Sequence, residues 1–251
     1  MSSLTDEIYN AVLSDLEAAF NKLVERVPPP QRLPFGDGFV YRYVERTVQQ
    51  ALIQKLARML TGLRAAHVLL RQGLIQEQAV IQRVLGDLQE DIFFLGYSIV
   101  KGELTKAHEE FLTDFYQEEF DNPKNVLQST QKRRPVPRRK IQAYLASIDP
   151  NIANPNHNQQ VIRTLQQAFS GFVHAASSQI MDMYGGDPPQ FHVRGMLGTW
   201  RMPEFEYDIW NYFERAFAAF AFVAMAFGDQ ELANRILSQQ QTFHIQTGRN
   251  D

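Results

Sequence analysis

Cysteine is absent from the 251 residues. That excludes disulfides, thiolate-bound zinc, iron–sulfur clusters and thiol nucleophiles. Long apolar runs are missing too. The longest, AFAAFAFVAMAF from Ala216 to Phe227, has barely half of the roughly 20 residues that a bilayer crossing needs, so it reads as a buried helix and no membrane is expected. Charge of one sign is not in excess: 25 Lys and Arg stand against 28 Asp and Glu, and any attraction to nucleic acid must therefore be local. The opening Met-Ser-Ser-Leu-Thr-Asp-Glu has neither the basic nor the apolar region of a signal peptide, and a cytoplasmic protein is expected. Phosphate-loop and dinucleotide glycine motifs, HExxH and Glu-x-x-His pairs are all lacking. No metal and no cofactor is implied.

What is present is helical periodicity, with little alternation of the β type. Leu4, Ile8, Val12, Leu16, Phe20, Leu23 and Val27 form one apolar stripe, ended by Pro28-Pro29-Pro30, which cannot continue a helix. Residues 28–38 read as a loop. A second pattern runs from about 39 to 71 and a third from about 74 to 100, nearly in one heptad register. A continuous helix there would span about 90 Å, too long for one domain, so a turn or sharp kink is expected near Gly73. An acidic helix over about 103–120 comes next, then a basic linker over 121–136 and a short helix opened by Pro137. A further helix is expected from 158 to 184, a glycine- and proline-rich loop over 185–202, and an aromatic helix opened by Pro203. Gly228-Asp229 combines a helix-ending glycine with an N-cap and should start a last helix at Gln230. The expectation is a single all-α domain, a bundle of seven to eight helices. If the rest of the chain left the aromatic helix uncovered, a second subunit would cover it, and a homodimer is expected.

Four features bear on function. Ser170, His174 and Ser177 or Ser178 recur at helical spacing on one face, with Gly171 leaving room one turn earlier. That pattern fits a sheltered acid–base histidine, or equally a buried histidine satisfied by a hydroxyl and a carbonyl. Glu77 and Asp91 lie two heptads apart on the seam of the third helix. A carboxylate there either faces water or needs a cation, for which His174, Arg64, Arg71 and Arg83 are the candidates. Lys132, Arg133, Arg134, Arg138, Arg139 and Lys140 crowd nine proline-spaced residues. They would bind a phosphate backbone or fold over the acidic fourth helix. His192 and Arg194, in the loop after the His174 helix, would hold an anion over a pocket, or simply belong to a helix connection.

The element Phe169-Ser170 with Val173-His174, preceded by a long helical region rich in arginine and acidic residues, resembles one in uncharacterised bacterial all-helical proteins distantly like the HEPN superfamily. HEPN domains are helical bundles, often dimeric, many of them RNases of toxin–antitoxin or defence systems. The resemblance implies a protein that binds or processes RNA. In it His174 would be the acid–base group, Ser170 would orient it, Glu77 or Asp91 would tune it, and 132–140 would hold phosphates. The family's R-x-x-x-x-H is absent, so only Ser170 and His174 carry over. The alternative is a non-enzymatic homo-oligomeric interaction or sensor module, with an acidic protein partner for the basic stretch.

Overall fold

The computed structural model describes residues 3–122, 124–148 and 169–249, and among them the fold is all-α apart from two small antiparallel hairpins. Helix α1 (Ser3–Val24) ends before the proline triplet. Residues 28–38 are more than a loop: β1 (Gln31–Phe35) pairs with β2 (Gly38–Arg42), Leu33 opposite Val40. Gly36 supplies the turn with φ of +59°, which a two-residue hairpin loop needs and only glycine adopts freely. The second helix therefore starts later than its periodicity suggests. It is α2 (Val48–Arg71), opened by a reciprocal cap between Thr47 and Gln50 that satisfies two otherwise orphaned amides.

At Gly73 the chain turns with φ of +69°, and α3 (Ile75–Lys101) returns along α2. The long apolar register is thus a helical hairpin. Gly62 of α2 lets the pair close: a Cβ there would sit 2.8 Å from the Leu85 side chain. Helix α4 (Lys106–Phe115) is shorter than the acidic pattern, and α5 (Arg138–Ile148) lies along α3. The helix expected over 158–184 falls partly outside the described residues. Its described part stops near His174, where Ala175 takes φ of +50°, and a short α6 (Ser177–Met181) follows. The loop beyond contains the second hairpin, β3 (Tyr184–Gly185) with β4 (Gln190–Phe191), and is pinned to the α2–α3 turn by the Met196 amide donating to the Gly73 carbonyl at 2.8 Å.

Helix α7 (Met202–Ala226) has proline in its first turn, as expected. Helix α8 (Gln230–Thr247) is capped by the Asp229 carboxylate, which accepts from the Leu232 amide at 3.0 Å. Phe213, Phe217 and Phe220 of α7 are fully buried against α1, α2, α3 and α8. The chain covers its own most apolar helix, so a second subunit is not required for that purpose. Tyr9 of α1 meets Phe243 of α8 with ring centroids 5.7 Å apart, while Arg26, just past α1, pairs with Asp229 at 2.5 Å. The first and last helices therefore run antiparallel, side by side. No described helix is long and apolar enough to cross a membrane.

Candidate functional site: a cleft between α3, α5 and α7

The residues singled out in the sequence do not converge. His174 is exposed and Ser170 half-buried; the His174 amide bonds back to the Ser170 carbonyl at 3.1 Å where the helix ends. With the break at Ala175, Ser177 and Ser178 belong to another helix and no shared polar face forms. The room left by Gly171 is taken by the Gln179 side chain, which a Cβ there would meet at 2.4 Å.

Glu77, in the first turn of α3, is exposed, whereas Asp91 is 3% exposed. The cations that answer Asp91 are none of the four candidates. Lys55 Nζ lies 2.7 Å from Oδ2, and Arg138 Nη1 lies 2.6 Å from Oδ1. Arg138 reaches the Asp87 carbonyl as well, at 3.2 Å, and approaches Glu90. The cluster ties α5 to α3 and α2, and at such burial each charge depends on its counter-charges.

The basic stretch is thereby divided. Arg138 serves the buried cluster. Arg133 lies over α4 and beyond it, 3.1 Å from Asp114 and 3.3 Å from Glu119. The Arg134 amide donates to Asp114 at 2.9 Å, and Lys140 stands 3.9 Å from Glu110. Lys132, Arg134 and Arg139 have exposed side chains. His192 is half-buried, its Nε2 3.2 Å from the Gly185 carbonyl and its ring against Trp200, while Arg194 is exposed. That loop packs on the α2–α3 turn.

Sequence reasoning passed over His108. It is fully buried, with Nε2 2.9 Å from the Phe94 carbonyl and Nδ1 accepting from the Thr105 amide at 3.1 Å. Burial holds its imidazole below the usual histidine range. Its spacing from Thr105 is the capping-box interval, a local signal that was available. His67 is also buried, 3.1 Å from Asp6, and burial lowers it likewise.

A concavity with an apolar floor lies elsewhere. A cleft of about 630 Å³ opens between α3, α5 and α7, with Phe93, Leu145, Phe169 and Tyr212 as its apolar surfaces. Its volume and character suit a small organic ligand. Gly86, in the middle of α3, borders it. A Cβ added there would meet nothing within 4 Å, unlike Gly62 or Gly96, whose added Cβ would strike Leu85 or the Phe222 ring. Glycine costs an exposed helix interior about 1 kcal/mol relative to alanine. At Gly86 no neighbouring side chain accounts for that cost. Gln82, one turn earlier in the cleft wall, is fully buried, and neither its amide oxygen nor its nitrogen has a partner among the described residues.

Most of the cleft's charges are answered. Arg83 pairs with Asp87 and Glu90 with Arg138, while Glu214 accepts from the Gln240 amide at 2.7 Å and lies 2.7 Å from His244 Nε2. Asp208 is different: it has no cation within ion-pair distance among the described residues, and burial, with repulsion from Glu204, outweighs the more distant attraction of Arg249 and raises its carboxyl above the ordinary range. Arg215 donates only to the neutral Gln89 oxygen, at 3.1 Å. Tyr212, between them, has its hydroxyl pushed up to about 12, chiefly by burial. Among the described residues no group of three His, Asp or Glu could hold a metal ion. No family model, no curated protein and no solved structure matches the chain.

Proposed function

We propose that the chain is a non-enzymatic binding module that takes a small organic molecule into the cleft between α3, α5 and α7. The observation that carries this reading is Gly86: a helix-interior glycine beside open space sacrifices helix stability for room, and the room is the cleft. The Asp208 carboxylate in the cleft wall, with no cation within ion-pair distance among the described residues, supports a site that is completed by its ligand. An acid–base mechanism through His174 has no carboxylate within ion-pair distance among the described residues in its favour, and Asp91 is occupied by Lys55 and Arg138.

The RNA-binding reading keeps Lys132, Arg134 and Arg139 on the surface. The groove lined by Lys106, Lys132 and Arg134 is lined also by Glu109, Glu110 and Asp114, which weakens the field an RNA backbone would feel. An RNA affinity that falls steeply with salt would restore that reading.

The cleft is tested with a panel of small aromatic and aliphatic fragments observed by ligand-detected NMR. Fragments should bind the native chain and Gly86→Ala, and be lost from Gly86→Phe, whose ring fills the space, with circular dichroism confirming the fold. A panel on which Gly86→Phe behaves like the native chain would overturn the proposal.

A further inference from the structure

The two unanswered charges of the cleft sit on one face of one helix, seven residues apart. Seven residues of α-helix rise about 10 Å, so Asp208 and Arg215 mark opposite ends of the site, with Asn211 between them. No described carboxylate lies within ion-pair distance of Arg215, and no described cation lies within that distance of Asp208. The two do not answer each other either. A ligand with a single charge would leave one of them alone in a partly desolvated cleft, which is costly. A ligand with a cation at one end and an anion at the other answers both.

The separation constrains the ligand further. A free α-amino acid carries both charges on one carbon and cannot span the two positions. An extended peptide advances about 3.3–3.6 Å per residue, so two or three residues, allowing for the long arm of Arg215, bring an ammonium to Asp208 and a carboxylate to Arg215. Between the charges the cleft offers what such a chain needs. Phe93, Leu145 and Phe169 provide apolar surface for side chains. The Asn211 amide, with no bond among the described residues, can pair with a peptide group, which carries one donor and one acceptor. A guanidinium is well matched to a terminal carboxylate because its planar fork bonds both oxygens. The Arg215 bond to Gln89 uses one nitrogen, Nη1.

Resting on the reading of the cleft as a ligand site, we propose that its ligand is a short apolar peptide of two or three residues with both ends free, the ammonium held by Asp208 and the carboxylate by Arg215. The peptide itself is taken in whole, and no bond is made or broken.

Titration calorimetry with the tripeptide Leu-Ala-Leu, its N-acetyl form, its C-terminal amide and free leucine tests this. Leu-Ala-Leu should bind the native chain. Acetylation should weaken it about ten-fold and amidation by a similar factor, the loss expected for one charge-assisted contact, while free leucine should bind far more weakly. Asp208→Asn should show the acetylation loss already and be insensitive to acetylation itself. Arg215→Gln should be insensitive to amidation in the same way. Neither residue has an ion-pair partner among the described residues, so both variants should retain the stability of the fold. Equal binding of free and capped peptides, or no peptide binding at all, overturns the proposal. If fragments still bind the native chain and are lost from Gly86→Phe, only the ligand class has failed. If no fragment distinguishes Gly86→Phe either, the cleft reading has failed with it.

Discussion

Two stretches of α3, barely three turns apart, treat buried polarity in opposite ways. Around Asp91 every group is answered: Lys55 comes from α2 and Arg138 from α5, and a fully buried carboxylate becomes the joint of three helices. Around Gln82 and Gly86 the same helix borders a cleft, and there a buried amide and, across on α7, a carboxylate have no hydrogen-bond or ion-pair partner among the described residues. Structural burial brings its counter-groups with it from distant parts of the chain.

The comparison can be broken at either end. The largest effect is expected at the answered end. Asp91→Ala leaves Lys55 without its carboxylate and Arg138 with only the more distant Asp87 and Glu90, and should cost about 3–5 kcal/mol in urea unfolding; a cost under about 1 kcal/mol would mean that the cluster does not hold the helices together. At the unanswered end the sign reverses. Gln82→Met keeps the shape and removes two unpaired polar atoms, so it should stabilise the chain by about 1–2 kcal/mol, and a loss of stability would show that the amide is paired in solution. Gly86→Ala should add about 0.5–1 kcal/mol through helix propensity, read as a rise in the urea midpoint with an unchanged slope.

Acidification should have the smallest effect and acts through neither end. Burial depresses both His67 and His108 in the fold, and Nδ1 of His108 is committed as an acceptor. Their contribution is full above the unfolded histidine value, near 6.5. It is lost as the pH falls from there through the folded one, because the unfolded chain takes up protons first. Urea midpoints at pH 7.5 and 5.5 should show this drop, and His108→Gln should reduce it.

Local signals in the sequence located most of the helices. The turn at Gly73, the proline opening α7 and the Asp229 cap are each fixed by one or two residues whose backbone chemistry is restrictive, and each stands where expected. The first hairpin was obscured because Pro34 lies inside a strand and the aromatic residues of β2 continue the helical spacing of α2; only Gly36-Asp37 marked the turn. Asp91 was recognisable as a core-facing carboxylate in need of a cation. Its partner Arg138 was also in view, in the basic stretch, but 47 residues separate the two, and nothing local joins them. The break at Ala175 carried no glycine to announce it, so the shared face of Ser170 and His174 dissolved at a non-glycine residue with positive φ. The cleft could not be read at all, since its walls come from helices more than a hundred residues apart.

The antiparallel pairing of α1 with α8 has a mechanical corollary. Tension applied near Tyr9 and Phe243 would load neighbouring ends of the two helices and open their seam one contact after another, as a zipper opens. Anchors at Tyr9 and Asp229 would instead strain the whole seam at once in shear. The same core should therefore give way easily to a pull in the first geometry and resist it in the second.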